Sequence, residues 1–230
     1  MERTRTGIKG FDRLIEGGFP KGSSILLSGT AGCGKTIFAL EFLYNGVAKF
    51  NERCLYVTFE EDLHSLYEQA KQFDWEMQKL QEKGLLTVMS MPAAEISNNT
   101  VNDILHIIKE KRINRLVIDS LSTISFYVPS STGSINHHSI GRFIHSFLGK
   151  LKSARQMTSL LISQSPDEKS LSKDHISEFA CDGVVHITFE SMGGEFSRSI
   201  LVRKMRRTKN DEDIHPLEIT DNGLVVHTLK

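Results

Sequence analysis

The chain has 230 residues, 39% of them hydrophobic, and its 28 Lys and Arg balance 28 Asp and Glu. That length supports one α/β domain with a sizeable core. The zero net charge excludes a global bias toward nucleic acid or an acidic membrane, so any basic partner site must be a local patch. Cys33, Cys54 and Cys181 form no CxxC pair, which argues against a disulfide framework and a zinc site. No apolar run approaches the roughly 18 residues of a membrane span. The opening Met-Glu-Arg-Thr-Arg-Thr lacks the apolar region of a signal peptide. A cytoplasmic protein with no membrane partner is expected. Internal repeats and low-complexity tracts are absent, so the sequence reads as a single domain over 1–230.

Near the start, Thr6 is placed to cap a short helix through Ile15, which Gly17-Gly18 and then Pro20 stop. Ser24-Ile25-Leu26-Leu27 has the length of a buried strand. It leads into Ser28-Gly29-Thr30-Ala31-Gly32-Cys33-Gly34-Lys35-Thr36, which matches G-x-x-x-x-G-K-[ST], the phosphate-binding P-loop. From Lys35 to about Phe50, Ile37, Leu40, Phe42, Leu43 and Val47 recur at helical spacing. The motif therefore lies between a strand and a helix, as its chemistry requires. Gly29, Gly32 and Gly34 let the backbone approach an anion. Backbone N–H groups of Thr30, Ala31 and Cys33 and the following helix N-terminus, through Ile37, then cradle the α- and β-phosphates. Lys35 reaches the β- and γ-phosphates, and the Thr36 hydroxyl is a Mg²⁺ ligand. Cys33 has two readings. Within an anion-binding loop its thiolate and its oxidation are favoured; otherwise it is a small residue at a variable motif position.

Cys54–Phe59 reads as the next strand and ends in Glu60-Glu61, with Asp62 placed to cap a helix from Leu63 to Phe73. A carboxylate at the C-terminal end of a parallel strand lies beside the P-loop and can orient or deprotonate a water. The alternative is that Glu60 and Glu61 only place charge at a helix N-terminus. Adjacent residues point different ways, so one of the two at most is the base. Gly84–Met89 reads as a strand, 92–99 as a polar loop, and Val101–Lys111 as a helix with one apolar face. Leu116-Val-Ile-Asp119-Ser120 is a buried strand ending in an acid, the Walker B pattern. Asp119 would hold Mg²⁺ opposite Thr36, or simply cap a turn.

Residues 125–138 form a polar loop, in which His137-His138 read as solvated rather than as metal ligands. Ser139–Arg155 reads as a helix, and Thr158–Ile162 as a strand followed by Ser163-Gln164. After a polar stretch at 165–178, two β-rich segments, 183–190 and 197–205, join near Gly193-Gly194. Arg203-Lys204-Met205-Arg206-Arg207-Thr208-Lys209 is locally basic. It is a solvated face, a nucleic-acid patch, or a segment on which Lys204 and Arg206, two apart on an extended chain, reach one phosphate together.

Thr6–Asp12 with Gly17–Gly22, then Glu60-Glu61, Asp119-Ser120, Ser163-Gln164 and Lys204-Met205-Arg206 in order, resemble single-domain archaeal KaiC-type ATPases, relatives of RadA and RecA. The resemblance spans essentially the whole chain. It implies an α/β, RecA-like P-loop fold: a mostly parallel sheet flanked by helices, with a C-terminal β-hairpin region. It favours Glu60 as the base and implies that Gln164 senses the γ-phosphate. It implies that Lys204 and Arg206 enter the neighbouring subunit's nucleotide site. It also implies that Thr208, Thr220 and Asp221 touch the partner's nucleotide, that 125–138 faces a central pore, and that the base is adenine. Arg207 and Asn210 stand where the family usually has Gly and often His.

These readings lead to ATP and Mg²⁺ binding with hydrolysis by a homo-oligomer, expected as a hexameric ring. The alternatives are an ATP/ADP-dependent interaction module read by a regulatory protein partner, and a RadA-like ATPase that binds nucleic acid. The zero net charge weighs against the last of these, which salt-dependent single-strand binding would reveal.

Overall fold

A computed structural model describes residues 1–228 apart from 98, 128–136, 154–155, 168–169 and 190–196, and at 125–127 and 137 it describes the backbone alone. In chain order the elements are β1 (Arg3–Thr4), a 3₁₀ turn (Phe11–Ile15), β2 (Phe19–Pro20), β3 (Ser24–Gly29), α1 (Lys35–Phe50), β4 (Cys54–Thr58), α2 (Leu63–Lys71), α3 (Met77–Glu82) and β5 (Leu86–Ser90). There follow α4 (Thr100–Glu110), β6 (Arg115–Asp119), α5 (Leu121–Tyr127), α6 (His137–Ser153), β7 (Thr158–Gln164), α7 (Ser177–Ala180), β8 (Gly183–Phe189), β9 (Arg198–Met205), β10 (His215–Thr220) and β11 (Gly223–Val226).

The main sheet has nine strands in the order β11-β10-β9-β8-β3-β7-β6-β4-β5. From β8 to β5 neighbouring strands run parallel, and β8 to β11 pair antiparallel. The central strands β3, β6 and β7 each hold a run of three apolar residues, Ile25–Leu27, Leu116–Ile118 and Leu160–Ile162, because both faces are covered. Alternation shows instead in which side each residue serves. Ile25 and Leu27 join the core with Phe38, Phe42 and Trp75, while Leu26 between them joins Ile104, Ile144 and Phe147 on the other face. Every parallel strand therefore ends on the same edge, and the loops after β3, β4, β6 and β7 meet there.

The expected α/β architecture and C-terminal antiparallel hairpin are present, with local corrections. Thr6 caps no helix. Gly7 and Gly10, at φ +72 and +84, interrupt the chain, and the turn begins only at Phe11 with Gly10 before it. The Thr6 N–H and hydroxyl donate instead to Asp12 Oδ1, at 2.9 and 2.8 Å. Helix α2 is capped as expected, Asp62 accepting from Ser65 N at 2.9 Å. It stops at Lys71 because Asp74 takes a left-handed φ of 58 and swings Trp75 onto Phe73 with ring centroids 4.7 Å apart. The segment read as a loop from 125 is helical through Tyr127, its continuation at 128–136 lies outside the described residues, and α6 begins two residues early at His137. The Gly193-Gly194 join is likewise outside the described residues. Among the described residues no helix is long and apolar enough to cross a membrane.

Candidate functional site

The loop after β3 is built around two glycines. A Cβ on Gly29 would stand 2.3 Å from the Ile187 carbonyl oxygen and 2.6 Å from Cys33 Sγ, so only glycine fits where β3 leaves the sheet. Gly34, at φ +107, adopts the left-handed conformation that starts α1. Ala31 and Gly32 are exposed at the rim, Thr30 and Thr36 are half-buried, and Ile37 packs half-buried on the core. Lys35 is buried, and its Nζ donates to the carbonyls of Gly29 (3.0 Å) and Thr30 (2.6 Å). The ammonium thus crosses the mouth of the loop, where an anion would meet it. Cys33 departs from its first reading. Its side chain is fully buried beneath the loop, and that burial pushes the thiol up, against the smaller opposing effect of Lys35. The protonated thiol is favoured there, and Cys33 packs beneath the loop with its Sγ 3.7 Å from Lys35 Nζ.

Asp119 ends β6 beside Thr36. The Thr36 hydroxyl lies 3.4 Å from Asp119 Oδ2, and Tyr56 Oη donates to the same oxygen at 2.7 Å. Burial pushes Asp119 up to about 6; the Tyr56 hydrogen bond opposes this, and the charges of Glu60 and Glu61 add to it. Such a cluster of acids is relieved by a divalent cation, and Thr36 with Asp119 forms an oxygen donor set that suits Mg²⁺.

The two glutamates after β4 diverge. Glu60 Oε1 accepts from Ser120 Oγ at 3.1 Å and from Thr123 Oγ1, so its carboxylate is held over the end of β6. Glu61 turns the other way and accepts from Gln69 Nε2 at 2.9 Å on α2. Burial raises its pKa, the bond from Gln69 opposing and the neighbouring acids adding. Gln164 ends β7 opposite Gly29, and its backbone N–H donates to Ser122 Oγ at 3.2 Å.

Lys35, Thr36, Asp119, Glu60 and Gln164 therefore share one edge of the sheet, whereas Lys204 and Arg206 do not. Lys204 pairs with Val184, which is level with Leu26, three residues before Gly29. That register puts Lys204 about 10 Å back along the sheet from the P-loop. Its Nζ donates to the Glu178 carbonyl at 2.7 Å, and Arg206 donates to the Phe179 carbonyl at 3.3 Å and pairs with Asp182 at 3.5 Å. The two cations converge, as their spacing suggested, beside Phe179, which is 72% exposed. Burial and the nearby Arg206 lower the Lys204 pKa. Thr208 accepts from Arg3 Nη1 at 2.7 Å at that same distant edge.

Thr220 ends β10, and Asp221 follows it into the closing turn. Ile219 Cδ1 lies 3.6 Å from where a Gly34 Cβ would stand. The residue before Thr220 thus packs beside this chain's own P-loop helix start. Sequence reasoning also missed Tyr56, Ser120 and Thr123, which orient the acids. It missed Arg198 as well, which stacks over Phe189 at 4.5 Å and donates to the Gly32 carbonyl at 3.4 Å. The signals open to inspection were the hydroxyls at 120–123 directly after the strand-end acid.

The family model described as "ATPase: KaiC" matches residues 4–230. The chain belongs to the KaiC ATPase family. It is 32% identical to UPF0273 protein MJ1359 of Methanocaldococcus jannaschii over 99% of this chain and 97% of that one. The circadian clock oscillator protein KaiC of Parathermosynechococcus lividus is 30% identical over all of this chain, which spans 43% of that protein. The crystal structure of the KaiC-like protein PH0186 from Pyrococcus horikoshii superposes with a TM-score of 0.86 at 32% identity, covering 99% of both chains. This KaiC-family domain is accordingly a nucleotide-binding P-loop domain of an ATPase family.

Proposed function

We propose that the chain binds Mg²⁺-ATP and hydrolyses it within a head-to-tail homo-oligomer, a hexameric ring, whose nucleotide occupancy acts as a regulatory switch in the cytoplasm. The supporting observation is the division of the charged groups. Lys35, Thr36, Asp119 and Glu60 gather on one sheet edge, while Lys204 and Arg206 converge on the other and cannot reach this chain's own P-loop. Charges divided in this way are completed by a second copy in a heterologous contact, which closes into a ring or runs on as a filament.

In this reading Lys35 exchanges its loop carbonyls for the β- and γ-phosphate oxygens, and the backbone N–H groups of 30–36 hold the remaining charge. Thr36 and Asp119 would hold a Mg²⁺, which would supply neutralisation of phosphate charge. Glu60, fixed by Ser120 and Thr123, orients and deprotonates the attacking water. Gln164 senses the γ-phosphate next to Gly29. Thr220 and Asp221 face the nucleoside of their own subunit. Lys204 and Arg206 of the neighbour, with Thr208 behind them, stabilise charge on the transferring phosphoryl group. Glu61, turned onto α2, serves as a supporting charge rather than as the base.

Glu60→Gln tests the assignment. The variant should bind ATP normally and lose at least ~100-fold in turnover, as measured by phosphate release. Normal turnover would remove Glu60 as the base. Lys35→Ala should lose both binding and turnover. A second reading, a switch with little turnover that a protein partner reads, is favoured by the hold that Glu178, Phe179 and Asp182 already have on Lys204 and Arg206. Turnover that stays slow in the assembled state would select it.

A further inference from the structure

The closing hairpin is tied to the phosphate-binding helix by a carboxylate that the scheme above does not use. Among the described residues, β10 pairs with β9 only at His215 and Pro216, and from Leu217 to Thr220 it pairs with β11 alone. The far end of the hairpin stands against α1. There Glu41 is only 5% exposed, and its Oε2 accepts from the Leu224 N–H at 2.8 Å. The other side of this joint is equally close. Gly223 has φ +116, and a Cβ on it would stand 2.8 Å from both Glu41 Oε2 and Trp75 Cζ2. Trp75 is itself fixed between Tyr44 and Phe73.

A carboxylate in this core costs desolvation that an aliphatic side chain would not. Its bond from a backbone N–H offsets part of that cost and determines where the hairpin rests. Helix α1 begins at Lys35 and Thr36. One rigid element therefore carries the phosphate grip at its start and, through Glu41, sets the height of the turn that bears Thr220 and Asp221.

We propose that Glu41 is a positioning residue for nucleoside recognition: it fixes the 220–223 turn against the P-loop helix so that this turn reads the nucleoside, while the phosphate grip does not depend on it. The inference rests on the nucleotide reading above and adds to it a division of labour between phosphate and base.

The test is calorimetric titration of the full chain with Mg²⁺-ATP and, separately, with Mg²⁺-tripolyphosphate, which has the phosphates and no nucleoside. Glu41→Gln keeps an acceptor for Leu224 and should match the wild type on both ligands. Glu41→Met keeps the length without the acceptor and should lose ~10-fold or more in ATP affinity with tripolyphosphate unchanged. Gly223→Ala disturbs the same joint from the hairpin side and should show the same selective loss, which keeps the test decisive if Glu41→Met does not fold. Equal losses on both ligands, or none on either, would overturn the inference. A wild type that binds tripolyphosphate as tightly as ATP would overturn it while leaving the P-loop reading intact. A wild type that binds neither would overturn the nucleotide reading itself.

Discussion

Glu41 also gives the chain a measurable pH dependence. Burial pushes its carboxyl up to about 7 from an ordinary 4.5, with the Leu224 N–H, Lys49 and Asn45 opposing the shift. The folded value lies above the unfolded one, so between the two the folded chain holds a proton that the unfolded chain has released. The stability contributed is complete below the unfolded value and is lost as pH rises through about 7. At ~1.36 kcal/mol per pH unit, the interval from 4.5 to about 7 corresponds to about 3 kcal/mol. That is a large part of a typical ~5–15 kcal/mol total. Glu41→Gln preserves the shape and has no proton to lose. In urea denaturation its stability should match the wild type near about pH 4.5 and exceed it by about 3 kcal/mol near about pH 8. The other ionisable groups cancel in the difference between the two proteins. Parallel profiles, or a gap that widens toward acid, would refute the reasoning.

Two further outcomes test separate parts of the structure. If Lys204 and Arg206 act on a neighbour's nucleotide, a Lys204→Ala/Arg206→Ala double variant and Glu60→Gln should each be inactive alone. Mixed, they should recover turnover at about a quarter of the interfaces of a randomly mixed ring; no recovery in phosphate release would place the cations elsewhere in the mechanism. Gly46→Ala should destabilise by ~1–3 kcal/mol despite alanine's better helix propensity, read as a lowered urea midpoint. The new Cβ would stand 2.6 Å from Arg115 Cδ. That side chain cannot yield, since it is fully buried, bonded to Glu52 and to the Phe42 and Arg5 carbonyls, and set over the Phe42 and Phe50 rings. A neutral or stabilising effect would show that Arg115 is not held as firmly as these contacts indicate.

What was legible in the sequence was contiguous. The P-loop, the strand-end acids Glu60 and Asp119, the Asp62 cap and the apolar runs of β3, β4, β6 and β7 each carry their signal within a few residues. The parallel sheet follows from those runs and the helices between them. The missed features are long-range pairings, for which the hydroxyls at 120–123 were the one local trace. Tyr56 to Asp119, Thr123 to Glu60, Arg198 to Gly32 and Glu41 to Leu224 join residues far apart in sequence. Thr220-Asp221 was recognisable as part of the closing hairpin, but the approach of Ile219 to Gly34 joins residues far apart in sequence. Cys33 carried two readings that its neighbours in sequence could not separate. Those neighbours suggest a positive field, and Lys35 Nζ does lie 3.7 Å from its Sγ, but the fold buries the thiol and burial is the larger effect. Thr6 failed because a carboxylate at Asp12 is a better acceptor for the local N–H groups than a helix start interrupted by Gly7 and Gly10.

The central claim, that nucleotide lies between two copies of this chain, is tested most directly by native mass with and without Mg²⁺-ATP. The account predicts a particle of six 25.9 kDa chains that appears or tightens when ATP is added. A chain that remains monomeric at micromolar concentration in both conditions would contradict it, because Lys204 and Arg206 would then have no neighbouring nucleotide to reach.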